Sequence, residues 1–278
     1  MATARSVAII GGGIGGLTVA NALKQMGMSV SFYERAPYFI PTVAATYGLQ
    51  PYGQISAATD KPADYGKRFG YFIGGALRSE LVDTLKEPLE KNVRVDMVIG
   101  ADGIRSTVVK QIFTQTASAI HSKENIFYGI IDNIDQQTSI NPTKTAKNTL
   151  TQCFNHREFL SYRVDNTGQL MWAATYPSVT PPSVSDDAEW TETNSQRDLN
   201  QLLTRFPQSH PVHQCAAGTD KQRLFHFGLY YRQYRSDGWH RNRICLLGDS
   251  CHATLSYVGQ GANMAIEDAT SLAMFKKI

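Results

Sequence analysis

Cysteine is scarce in this chain of 278 residues, which has four: Cys153, Cys215, Cys245 and Cys251. No pair has CxxC spacing. Nothing suggests secretion, and the thiols read as reduced, in a cytoplasmic compartment. Long apolar runs are missing as well. No segment approaches the roughly 18 apolar residues that a membrane-spanning helix needs. The N-terminal MATARSVAIIGGGIGG has one arginine and an apolar stretch cut short by glycine, unlike a secretory leader. Excess charge is slight: 27 Lys and Arg against 24 Asp and Glu give +3. With no basic run beyond Lys276-Lys277, nucleic acid and acidic membranes are not expected partners. Repeats and low-complexity tracts are absent too.

What is there is an ordinary globular mix, 42% hydrophobic and 18% charged, patterned as α/β. Residues 5–10 form a β-branched run that stops at glycine. Residues 14–26 have helical apolar spacing, with Gly27 placed as a C-cap. Residues 28–34 alternate as a second strand, which completes a βαβ unit. Residues 36–75, rich in proline and glycine, read as mostly loop. A helix is expected over 77–91, a strand over 93–100 and a further strand over 243–247. A helix over 261–275 follows the Gly259-Gln260-Gly261 turn. Between these, 121–235 is β-rich, with strands at 126–131, 149–154, 158–164, 169–175 and 224–231 and a helix at 194–205.

Three turns combine glycine and acid. The first, Gly11-Gly12-Gly13-Ile14-Gly15-Gly16, fits G-x-G-x-x-G between a strand and a helix. There a missing Cβ lets a pyrophosphate approach the backbone and face the helix dipole. Glu34, followed by Arg35, ends the second strand, where an acid can accept hydrogen bonds from an adenosine ribose. The motif does not separate NAD from FAD. The second is Asp102-Gly103, which alone would be a common turn. The third is Gly248-Asp249, followed by Gly259, Gly261, Ala262 and Asn263 at a helix start whose N–H groups could hold negative charge.

In this order the three motifs resemble the FAD-dependent aromatic monooxygenases, the group related to para-hydroxybenzoate hydroxylase and salicylate hydroxylase-like enzymes. GGGIGGL with Glu34 is similar to that family's ADP-binding fingerprint, and VIGADGIRS to its Asp-Gly motif. LLGDSCHATLSYVGQGANMAIEDA is similar to its Gly-Asp motif, whose aspartate bonds the ribityl chain. Arg78 resembles the arginine of an R-x-x-L helix that contacts the cofactor, and Ala45 falls in the loop beside the flavin. The resemblance implies an α/β fold: a Rossmann-like FAD-binding (GR2-type) domain over 1–118 and 239–278, with an inserted β-rich substrate domain over 119–238. It implies FAD as cofactor, NAD(P)H as transient electron donor, and O₂ and a small aromatic substrate as partners. Hydroxylation would proceed through a flavin C4a-hydroperoxide. No side chain is assigned as acid or base.

The chain departs from the family pattern where a β-meander is usual, since Lys86 leads almost directly to Val93. It also stops at Ile278, soon after the Gly-Asp helix. These departures predict low flavin occupancy and an exposed helix face carrying Ile266, Leu272 and Phe275. The alternatives are a shortened, inactive family member and a flavin oxidoreductase that does not hydroxylate.

Other residues favour ordinary roles. His210, His213 and Cys215 read as a surface loop at Pro211 rather than a metal site, and Cys251 as a buried, inert thiol. His252 reads as a residue that orients backbone. Asp186, Asp187 and Glu189 read as solvated loop, and Trp172 and Trp239 as core. Tyr128, Tyr162, Tyr176, Tyr230 and Tyr231 could line a pocket or belong to the core of a sheet.

Overall fold

The computed structural model describes residues 6–34, 46–49, 74–77, 94–113, 118–136, 150–154, 158–164, 168–182, 195–236 and 238–274. The chain divides into two compact units, one of residues 1–41, 47–120 and 230–278, the other of residues 42–46 and 121–229.

The first unit is built on a five-stranded sheet. Strand β1 (Ser6–Ile10) leads into helix α1 (Ile14–Gln25) and returns through β2 (Ser29–Tyr33). Helix α1 is buried on most sides over its first two turns, through Ile14, Leu17 and Val19, and again at Leu23. The helix stops because Gly27 takes φ +76°. Its N–H then reaches the Lys24 carbonyl and the Met28 N–H the Leu23 carbonyl, a Schellman ending. A short pair, β3 (Thr46–Leu49) and β4 (Gly74–Leu77), forms a separate two-stranded sheet. Strand β3 lies in the stretch expected to be loop, and Leu77 is strand where a helix was expected to begin. The remainder of the helix expected over 77–91 lies outside the described residues.

Strand β5 (Met97–Gly100) pairs in parallel with β1, and β1 with β2. Helix α2 (Thr107–Ile112) follows β5. The sequence reading missed α2, because the Asp-Gly pair before it signals a turn but not what the turn begins. The order of this sheet is β11-β12-β5-β1-β2, with β11 (His240–Arg241) antiparallel to β12 and β12 (Ile244–Leu246) parallel to β5. The four-residue helix α5 (Asp249–His252) and helix α6 (Gly261–Met274) complete the unit. Helix α6 packs along α1. This overturns the expected exposed face of α6: Ile266 is fully buried and Leu272 packs against the core of Val7, Ile9, Val19, Leu23 and Ile99. Phe275 lies outside the described residues.

The second unit holds a sheet ordered β10-β6-β9-β8-β7. Its members are β6 (Ile120–Ile131), β7 (Leu150–Phe154), β8 (Glu158–Val164), β9 (Gln169–Pro177) and β10 (Leu224–Tyr231). Strand β6 is longer than the apolar run 126–131 because polar residues from Ile120 onward extend it. One sheet face carries Phe127, Ile131, Leu170, Trp172 and Tyr176. It packs against Leu202 and Phe206, at the end of helix α3 (Ser195–Arg205), and against Val212, Cys215 and Ala216 of helix α4 (Val212–Gly218). The surface-loop reading of His210, His213 and Cys215 is thus corrected. Cys215 is fully buried, and burial pushes its thiol up to about 12. The His210 ring sits against Phe206 and Phe159. Proline is compatible with a helix start, so Pro211 opens α4 instead of marking a loop. Trp172 is core, as expected, and its indole Nε1 donates to Thr219 Oγ1 at 2.8 Å. Tyr176 is also core, with its hydroxyl 2.7 Å from His226 Nε2.

No described helix is long and apolar enough to cross a membrane.

Candidate functional site

All three turns leave the carboxyl ends of adjacent parallel strands. Gly100 is the register partner of both Ile10 and Leu246, so the chain leaves β1, β5 and β12 at one level. Backbone bonds continue past the strand ends. The Gly11 N–H donates to Tyr33 O at 2.8 Å, Ala101 N–H to Ile10 O at 2.7 Å, and Leu247 N–H to Gly100 O at 2.9 Å. In open α/β sheets ligands sit at this edge.

The glycines of the first turn are needed for different reasons. Gly11 has φ +108°, and a Cβ there would lie 2.4 Å from the Ala101 carbonyl oxygen. A Cβ on Gly16 would lie 2.0 Å from Gly11 O, so both residues are imposed by the chain's own packing. A Cβ on Gly13 would meet nothing within 4 Å. Gly13 is the N-cap of α1, which has no side-chain cap and no acidic residue in its first turn. Open space therefore lies where a ligand could meet the helix start. The Glu34 carboxylate reaches this turn and accepts from the Gly12 N–H at 2.5 Å. Arg35, Ala45 and Arg78 lie outside the described residues, as do Asp186, Asp187 and Glu189.

Asp102 is spent largely inside its own motif. One oxygen accepts from Ser106 Oγ at 2.5 Å; the other accepts from the N–H groups of Thr107 and Val108 at 2.6 and 3.1 Å. Ser106 Oγ in turn accepts from Val109 N–H at 3.0 Å. Asp102 and Ser106 thus cap α2 together. A Cβ on Gly103 would enter open space.

The third motif is tied to both others. Gly15 of α1 lies against Leu247 and Ala265. The Asp249 carboxylate stands 3.9 Å from where a Gly261 Cβ would be, beside the start of α6. Ala262 and Asn263 are buried in that first turn, and Asn263 Nδ2 donates to Gly259 O at 3.4 Å.

Sequence reading missed three residues that hold these turns together. Ser250 Oγ, fully buried, lies 2.7 Å from Gly100 O and accepts from Leu247 N–H at 3.2 Å. Arg232 donates from Nε to Asp249 O at 3.2 Å and from Nη2 to Ile104 O at 2.6 Å, joining the Asp-Gly and Gly-Asp turns. Burial pulls the Arg232 guanidinium below its ordinary value, opposed by Asp102, Cys251 and Asp249. Asp268 of α6 accepts from Gly248 N–H at 2.9 Å and bonds His252 Nε2 at 2.5 Å. That bond, helped by Cys251, lifts the His252 imidazole from 6.5 to about 10. Ser250 and Asp268 lie inside the quoted Gly-Asp motif, Asp268 within Glu267-Asp268-Ala269, but nothing local gives their partners, and Arg232 lies outside all three motifs.

Cys251, His252 and Asp268 bring ligand-type atoms within 4.8 Å of one another. Each is engaged by its neighbours: the Cys251 thiol donates to Gly248 O at 3.1 Å. Burial raises the pKa of this thiol, which disfavours the thiolate a metal or an electrophile would need.

A parallel sheet that delivers three glycine-marked turns to one edge, the first opening an uncapped helix, defines a dinucleotide-binding α/β protein. Residues 78–275 match the FAD binding domain family, and the chain belongs to it. Residues 9–49 match the NAD(P)-binding Rossmann-like domain. Similar proteins include the FAD-dependent monooxygenase ausM of Penicillium brasilianum, 25% identical over 340 residues, covering 96% of this chain and 68% of that protein. The FAD-dependent monooxygenase BOA8 of Botryotinia fuckeliana (strain B05.10) is 25% identical over 324 residues, covering 96% of this chain but 38% of that protein. The fold is that of CtdE, solved in complex with FAD and substrate 4, at TM-score 0.75 and 18% identity over 97% of this chain and 80% of the other.

Proposed function

We propose that the three turns hold FAD and that the chain acts as an NAD(P)H-consuming monooxygenase on a small aromatic or conjugated substrate. The observation that carries this reading is the common level at which β1, β5 and β12 release their turns. The residues suit the cofactor: open space at Gly13, an uncapped α1, an acid at the end of β2, and a carboxylate beside the start of α6.

When bound, the flavin supplies the redox chemistry, taking a hydride from the nicotinamide and delivering oxygen to the substrate. The chain's own groups bind and orient. The first-turn N–H groups of α1 would face the pyrophosphate. Glu34, holding Gly12 through one oxygen, would offer remaining lone pairs to the ribose. Asp249 would bond the ribityl hydroxyls. The N-terminus of α6, at Gly261, Ala262 and Asn263, would stabilise negative charge on the pyrimidine end of the reduced ring. Asp102 and Gly103 would shape the wall between these groups. The four thiols suit a reducing, cytoplasm-like compartment.

The test is purification followed by a visible spectrum, then NAD(P)H oxidation with a panel of phenolic and other conjugated compounds under ¹⁸O₂. A flavin spectrum, substrate-stimulated oxidation and label in the product are expected. Flavin binding without label would leave an oxidoreductase that does not hydroxylate. Absence of flavin affinity would overturn the reading.

A further inference from the structure

We propose that Asp268 is a positioning residue for the flavin: it clamps the Gly248-Asp249 turn to α6 and so sets the spacing between the Asp249 carboxylate and the N-terminus of that helix. This rests on the reading of the turn and the helix start as parts of the FAD site.

The clamp is visible on both sides of one residue. The N–H of Gly248 goes to Asp268 Oδ2. Its carbonyl accepts from the N–H groups of Cys251 and His252 at 2.9 and 3.0 Å. His252 then returns to the same Asp268 oxygen through Nε2. The result is a closed loop: Asp268 to Gly248, Gly248 to His252, His252 to Asp268. Gly248 has φ +63° and a Cβ there would sit 3.2 Å from the Ala265 Cβ, so the turn is pressed against α6 as well as bonded to it. Asp249 is the next residue, and its orientation follows from the held peptide.

Asp268 and Gly261 are on the same helix, about 10 Å apart at 1.5 Å rise per residue. A helix transmits position rigidly over that distance. Whatever fixes Gly248 to Asp268 therefore also fixes Asp249 relative to Gly261. A ligand that bridged both would gain from having that spacing set in advance, because less ordering would remain to be done on binding. The carboxylate is suited to the task, since a charge-assisted bond to an imidazolium is stronger than a neutral one.

The experiment uses the whole chain, with FAD titrated into apoprotein by fluorescence and the melting temperature of the apoprotein measured alongside. Asp268→Asn retains an oxygen for the Gly248 N–H but loses the charge; Asp268→Ala loses both. A rise in FAD Kd of about tenfold is expected for Asp268→Asn and about thirtyfold for Asp268→Ala, the second including the unmatched Gly248 N–H. Phe206→Leu, in the core of the β-rich unit, is the control. It should lower the melting temperature and leave the FAD Kd unchanged, which separates positioning from general stability. Unchanged Kd in both Asp268 variants, or a Kd that tracks melting temperature equally in all three, would overturn the clamp while leaving the cofactor reading intact. A wild-type chain with no affinity for FAD would instead remove the cofactor reading, and the clamp with it.

Discussion

The Ser250 hydroxyl, fully buried, lies 2.7 Å from the carbonyl oxygen of Gly100, 150 positions earlier in the chain. It joins the end of β5 to the turn after β12, and with them two of the three turns of the site. Ser250→Ala would remove the hydroxyl shared by this carbonyl and the Leu247 N–H, which would keep only their bond to each other at 2.9 Å. The expected cost is about 0.5–1.5 kcal/mol, seen as a lower urea midpoint with unchanged slope. An unaltered midpoint would show that the hydroxyl is dispensable.

Gly13 and Gly16 should separate ligand binding from folding. Gly16→Ala forces a Cβ into the Gly11 carbonyl, and overpacking of that kind costs about 1–3 kcal/mol. Gly13→Ala places its methyl in open space at an extended backbone position. It should cost under about 1 kcal/mol of stability while raising the FAD Kd at least about tenfold. Paired melting curves and flavin titrations check both. Equal effects of the two substitutions on stability would contradict the assignment of Gly13 to the ligand.

The His252–Asp268 pair gives a dependence on pH. The imidazole sits at about 10 in the folded chain against an ordinary 6.5. A group raised on folding stabilises fully below its unfolded value and loses that contribution as pH climbs through the folded one. With both side chains about one-third exposed, the contribution is discounted for solvent to about 1–2 kcal/mol. The Cys251 and Cys215 thiols, also raised, act in the same direction at alkaline pH. The difference between wild type and His252→Asn therefore isolates the pair. Urea midpoints from about pH 6 to pH 10.5 should converge for the two proteins at the alkaline end. A constant gap would refute the coupling.

Gly129 and Trp172 are a steric pair in the second unit. A Cβ on Gly129 would lie 2.5 Å from the indole, and they are register partners across β6 and β9. Gly129→Ala should cost about 1–3 kcal/mol by overpacking. Adding Trp172→Phe should recover part of that loss, giving a favourable coupling in a double-mutant cycle followed by thermal melting. Strict additivity would argue against contact.

The glycine and acid turns were legible because each sits where a strand must end, so local chemistry and tertiary role coincide. Gly11, Gly16, Gly103, Asp249 and Gly261 could be picked out for that reason. The reasons behind them were less legible: Gly11 and Gly16 answer to the Ala101 and Gly11 carbonyls, and Asp102 answers to α2, which sequence alone did not predict. The roles of Ser250 and Asp268, both within the Gly-Asp motif, and of Arg232, outside it, could not be read because their partners depend on strand order and helix packing. Helix α4 was misread because Pro211 and two histidines outweighed the spacing of Val212, Cys215 and Ala216, which turn together onto the sheet.

The seat of β12 beside β5 has a consequence for synthesis. As the chain leaves the ribosome, β5 can join β1 early, but its other edge stays bare until a strand much later in the chain arrives. An unpaired edge in a partly made sheet invites association with other chains. Throughout that interval the nascent sheet needs shielding, and chaperone demand should be greatest just before residues 244–246 emerge.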